Sequence, residues 1–265
     1  MLRGRLLAWV ILVGACASAS ALNPKEIVQQ AVKAELYANN HDNSRWLYYD
    51  VDKKPGNDVT QWVAETPKGD LDRVLDQNDR RLPEDEQRSR MQAFIQNPAA
   101  QARQRRSGQH DDQQATQMLN LLPTAFIWTQ TGQHDGETSL HFRPNPAFSP
   151  PSWESRVFAA MEGDMTVSDA QHRIVSLKGR LIHSVKFGLF GLFGNLQSGG
   201  TFGVERREVA PNKWQITQTH IHILGHALIF KTISEQEDEV KSRFHELPGD
   251  LSFPQAEKIL MEQPE

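Results

Sequence analysis

The residue types best suited to chemistry stand together in Thr219-His220-Ile221-His222-Ile223-Leu224-Gly225-His226. Side chains two apart on a strand project to the same side, so His220 and His222 would present two imidazoles as a metal-ligand pair. His226 lies beyond a glycine that can shift the register, and Glu205 or Glu208 on the preceding strand would complete a zinc set. That reading makes the chain a metal-dependent hydrolase using His220, His222 and His226. The plainer reading makes the same histidines polar residues on the wetter face of a strand, with no metal. Other catalytic signatures are missing from the sequence: no G-x-S-x-G elbow, no H-E-x-x-H and no G-x-x-x-x-G-K-[ST] loop. Gly188, Gly191 and Gly194 recur every three residues in a strand context, which does not match a dinucleotide fingerprint. The expectation is a non-enzymatic protein with no catalytic residue and no cofactor.

A second group of residues could bind rather than react. Phe187-Gly-Leu-Phe-Gly-Leu-Phe-Gly194 is the most apolar stretch outside the first residues. A core strand seldom carries so many glycines, because each costs backbone entropy and leaves a packing gap. Phe187, Leu189, Phe190, Leu192 and Phe193 on an exposed loop would suit contact with a membrane surface or an acylated ligand. On a glycine-kinked strand the same side chains would fill an interior. Trp46, Tyr48 and Trp62, on two aromatic strands, add apolar surface for the same kind of ligand.

These residues have to be positioned by sheet. From Met161 to Ser234 the chain reads as an antiparallel meander, with Val175, Leu177 and Leu181 on one face and Ser176, Lys178 and Arg180 on the other. A strand through Phe202, Val204 and Arg206 leads to a turn at Ala210-Pro211-Asn212-Lys213, and strands over Trp214 to Leu224 and Ala227 to Ser234 are separated by Gly225. The segment from Glu235 to His245 reads as charged and lies after that sheet. Upstream, Asn23-Pro24 opens a helix as N-cap and first helical residue. Strands follow over Arg45 to Asp52, Val59 to Thr66 and Leu71 to Leu75. Pro83 to Asn120 is rich in Gln, Arg, Glu and Ala and poor in β-branched residues, so it predicts two helices. Ala125 to Thr131 and Glu137 to Phe142 predict a strand pair, Trp153 to Met161 a short helix, and Pro254 to Met261 a terminal one.

Arg3 and Arg5, the apolar run Leu6 to Val13, and Ala19-Ser20-Ala21 form a secretory signal peptide at residues 1–21. Val13-Gly14-Ala15-Cys16 also resembles a lipobox, which would anchor the protein as a lipoprotein through an acylated Cys16. In either case no cysteine remains for a disulfide, a zinc site or a thiol nucleophile. Losing Arg3 and Arg5 with the leader takes the formal charge from −4 to −6. That balance argues against a nucleic-acid partner, which needs a basic face. The expected location is exported and periplasmic; oligomeric state has no sequence signal.

The order of leader, N-P-K-E-I-V helix, strand meander, helical insert and long C-terminal meander resembles the LolA/LolB-like family of outer-membrane lipoprotein-sorting proteins. Met161-Glu-Gly-Asp-Met-Thr-Val167, Arg173-Ile-Val-Ser-Leu-Lys-Gly-Arg-Leu181, Gly199-Gly-Thr-Phe-Gly203 and Ala227-Leu-Ile-Phe-Lys-Thr-Ile233 are similar to its strands. The resemblance implies an α+β fold. It would be a strongly curved, incomplete antiparallel β-barrel with helices covering its concave face, in one domain at 22–265 with a helical insert at about 83–122. It also implies a binder or carrier of lipid or lipoprotein acyl chains. An interaction or sensor module of the cell envelope is the further alternative.

Overall fold

The computed structural model describes residues 23–187, 194–227 and 231–265. The expected leader, Cys16 and the apolar residues Leu189, Phe190, Leu192 and Phe193 lie outside the described residues. So do the side chains of Phe187 and His226.

Helix α1 (Pro24–His41) starts on a capping box: the Asn23 side chain accepts from the Glu26 N–H, and the Glu26 carboxylate accepts from the Asn23 N–H. A meander follows, of β1 (Arg45–Lys53), β2 (Val59–Thr66), β3 (Gly69–Gln77) and the short β4 (Arg80–Arg81). Helices α2 (Glu84–Ile95) and α3 (Pro98–Ala125) make the insert, and β5 (Phe126–His134), β6 (Glu137–Pro144) and α4 (Trp153–Phe158) come next. The second meander comprises β7 (Met161–Ser168), β8 (Ile174–Leu181), β9 (Val185–Phe187), β10 (Gly194–Leu196), β11 (Thr201–Ala210), β12 (Lys213–Ala227) and β13 (Lys231–Leu247). Helix α5 (Phe253–Met261) closes the chain.

All strand pairs are antiparallel, in the order β4-β3-β2-β1-β13-β12-β11-β8-β7-β6-β5, with β9 and β10 attached beside β12. The fold is thus α+β with one large antiparallel sheet. The sheet is not closed into a barrel, since β4 and β5 are its two ends. Two expectations need correction. Strand β13 does not stop at Ser234 but runs through the charged segment to Leu247, where it pairs with β1 on one side and β12 on the other. Charge density does not forbid a strand whose faces are not both packed. Gly225 is no boundary between strands; it lies within β12, opposite Ile233 and Leu196.

The register divides the sheet into two faces. On face A, Asp238, His220, Gly203, Lys178, Asp164 and His141 stand opposite one another on successive strands. One residue along, on face B, the row is Glu239, Thr219, Val204, Leu177, Met165 and Leu140. Helices α1, α3 and α4 pack on face B over β5 to β8, where Val28, Ala31, Leu122, Ala125 and Val157 meet Trp128, Leu140, Phe142 and Met165. Helices α2 and α5 pack at the other end on face A, where Met91, Phe253 and Leu260 meet Leu47, Trp62, Ala64 and Leu71. The expectation of helices covering a single face is therefore corrected: two amphipathic sets bury opposite sides of the sheet. The reason is visible in β1 and β2, whose face-A residues Leu47, Trp62 and Ala64 are as apolar as the face-B residues of β6 and β7. Along the middle strands β11, β12 and β13, no helix packs extensively among the described residues.

Candidate functional site

On face A of β12, His220 and His222 do share a side, with ring centroids 6.5 Å apart. Their nitrogens are engaged laterally: His220 Nδ1 meets Asp238 Oδ1 at 2.5 Å and its Nε2 meets Thr201 Oγ1 at 3.1 Å. His222 Nε2 faces Gln236 Nε2 at 3.2 Å. The carboxylates expected to complete a zinc set are held elsewhere. Glu205 accepts from Lys178 Nζ at 2.5 Å, and Glu208 accepts from the Asn212 N–H at 2.6 Å. Among the described residues, no group of three His, Cys, Asp or Glu is arranged to hold a metal ion. Over β8, β11 and β12, face A is a solvated polar surface with local pairing.

Face B of the same strands is different. Leu177 on β8, Phe202 and Val204 on β11, and Ile221 and Ile223 on β12 form a half-buried apolar strip. Leu177, Phe202 and Ile223 also pack against the α1-side core. The Phe202 ring comes close to its neighbour Gly179, where an added Cβ would meet it at 2.5 Å.

Next to this strip stands a wall of acids. Glu237 is opposite Ile221, and Glu239 is opposite Thr219 on one side and Asp52 on the other. Strand β1 also contributes Asp50, β3 contributes Asp70 and Asp72, and β2 contributes Glu65, all on face B. Lys54 bridges Asp52 at 2.8 Å and Glu237 at 3.0 Å, while Lys241 pairs with Glu239 at 3.1 Å and lies 5.5 Å from the Tyr48 ring centre. Asp50 is only 3% exposed. Its Oδ2 accepts from Gln61 Nε2 at 3.0 Å, and its buried Oδ1 has no hydrogen-bond partner, as is true of Asp52 Oδ1. Burial, with repulsion from Glu239 and Asp52, pushes Asp50 up to about 6. Burial pushes Glu65 to about 7, helped by Asp70, and Asp72 to about 7, helped by Asp70 and Asp50. Asp70 is raised as well, chiefly by burial, and burial with these carboxylates carries Tyr48 well above its ordinary range.

The three aromatic candidates are not brought together. Trp46 and Tyr48 lie on face B with Val63, and Phe244 stacks on Tyr48 at 5.4 Å. Trp62 sits on face A beneath α5, where its indole N–H donates to the Pro264 carbonyl at 2.9 Å. Buried Glu35 ties α1 to the start of β8 and to β11: Arg173 donates to it twice, at 3.1 and 2.9 Å, the Ile174 N–H donates at 2.8 Å, and Arg206 forms an ion pair with it. Those partners hold the Glu35 carboxyl below the usual range against the opposing effect of burial. A surface groove of about 1030 Å³ lies by the C-terminal half of α1, but Lys213 on its wall is paired with Glu246 at 2.7 Å and Asp42 at 3.9 Å.

The acid wall went unnoticed in the sequence, although a signal was there. Asp50 with Asp52, Asp70 with Asp72, and Glu237 with Glu239 each recur at the strand period, which puts each pair on one face. No family model, curated protein or solved structure matches the chain.

Proposed function

We propose that this chain is an exported, non-enzymatic binder or carrier of lipid or lipoprotein acyl chains, and that face B is the ligand surface of a strongly curved, incomplete half-barrel. The observation that carries this reading is the half-buried apolar strip Leu177, Val204, Phe202, Ile221 and Ile223, centred on strands along which no helix packs extensively among the described residues. Strand irregularities in the β1/β13, β2/β3, β5/β6, β7/β8 and β11/β12 pairs support the curvature, because bulges bend and twist the strands that contain them. So does the Gly163–Gly179 pair, where a Cβ on Gly163 would collide with the Lys178 carbonyl. Each methylene taken from water onto the strip contributes about 0.8 kcal/mol.

The test is displacement of a fluorescent long-chain acyl probe, with native mass spectrometry of protein purified from membranes. Ile221→Asp should weaken probe binding at least tenfold. Empty protein from membranes, together with no probe binding by the unmodified chain, would remove the reading. An envelope interaction module is the second reading, and α3 favours it: residues 105–115 are all exposed. A pull-down with α3 surface substitutions that leave probe binding intact separates the two.

A further inference from the structure

We infer that face B takes an amphiphile with a primary ammonium head, its chain on the apolar strip and its charge at Asp50; the inference rests on the acyl-binding reading above. The geometry supplies both halves side by side. Ile221 and Glu237 are directly paired, so the apolar strip meets the acid wall with no strand between them. Asp50 lies two strands from Ile221 and four residues further along the strand direction, roughly 16 Å away at the usual spacings and within the reach of an extended twelve-carbon chain.

A carboxylate oxygen taken out of water without a donor is costly, and Asp50 Oδ1 is such an atom in a side chain 3% exposed. Lys54 is engaged by Asp52 and Glu237; Lys241 stands directly opposite Asp50 on β13 and its charge favours the Asp50 carboxylate, but its ammonium is paired with Glu239 and makes no hydrogen bond to Asp50. Among the described residues no lysine or arginine forms an ion pair with Asp50, Asp70 or Asp72. An ammonium brings three donors and a compensating charge, and its charge-assisted bonds are about twice as strong as neutral ones. A carboxylate head would face this wall with like charge. The acid wall thus selects a head group that the apolar strip alone cannot distinguish.

Calorimetry on the full chain at pH 7.5 with dodecylammonium, dodecanol and dodecanoate below their micelle concentrations tests this. The ammonium should bind at least tenfold more tightly than the alcohol, and the carboxylate more weakly than the alcohol. Asp50→Asn, which keeps shape, should bring the ammonium-to-alcohol ratio close to one while dodecanol affinity stays within twofold; Asp72→Asn should lower the ratio by a smaller factor. Equal binding of ammonium and alcohol by the unmodified protein would overturn the head-group assignment and leave the acyl reading standing. A ratio unmoved by both variants would do the same. Binding of none of the three would overturn the acyl reading, and this inference with it.

Discussion

The two faces of strand β12 hold residues of similar promise and opposite fate. On face A, His220 and His222 find Asp238, Thr201 and Gln236 beside them and stay exposed. On face B, Thr219, Ile221 and Ile223 are half-buried and lead straight to carboxylates that burial has pushed towards neutrality. The difference shows that residue type alone is a poor guide to a site. What matters is whether neighbours have already satisfied a group, and on face A they have.

Glu35 joins α1 to β8 and β11 through a buried ion cluster, so the largest effect should come from Glu35→Ala. It leaves Arg173 and Arg206 near one another without their shared carboxylate. Losing one partner of a buried pair typically costs about 3–5 kcal/mol. At roughly 2–4 °C per kcal/mol for a chain of this size, the melting temperature should fall by roughly 6–20 °C. A drop below about 2 °C would mean that the cluster does not anchor the helix.

Ile221→Asp should act on binding more than on folding, since the residue is only half-buried; loss of acyl-probe affinity without a melting shift above a few degrees is the expected pattern. The acids should then show in the pH dependence. Asp72 and Glu65 are raised to about 7 and Asp50 to about 6, so the folded state holds their protons more tightly than the unfolded chain. Their contribution is fully present below the unfolded carboxylate range and is lost as pH rises through about 6 to 7. Asp72→Asn should therefore raise the melting temperature at pH 8 and leave it nearly unchanged at pH 4; equal shifts at both would contradict the assignment. Smallest of all should be His220→Ala with His222→Ala, within about 1 kcal/mol, because exposed pairs contribute little. Stoichiometric zinc, manganese or iron lost in that double variant would reverse the comparison between the faces.

Much of the fold was legible in the sequence, because the period-two patterns of β7, β8 and β11 and the Asn23-Pro24 start of α1 are strong local signals. The length of β13 was not, since its charged residues look like a solvated segment until pairing with β1 and β12 is known. Nor was the splitting of the helices between faces, which follows from which meander each helix returns to. Trp62 illustrates the limit: it is aromatic and on a strand beside Tyr48's strand, yet it supports α5 on face A. The acid wall needed only the alternation of Asp50 with Asp52 and Asp70 with Asp72, but its meaning required Ile221 opposite Glu237.

The central claim is that an alkyl chain lies on face B and not on face A. Gly203 and Val204 are adjacent on β11 and point to opposite faces, and a Cβ at Gly203 meets nothing closer than Lys178 Cγ at 3.5 Å. In a Cys16→Ser background, the rate of thiol labelling should be measured for Gly203→Cys and Val204→Cys with and without a saturating long-chain amphiphile. The account predicts at least tenfold slower labelling of the Val204→Cys thiol and an unchanged rate for Gly203→Cys. Protection of Gly203→Cys with none at Val204→Cys, or of neither, would contradict it.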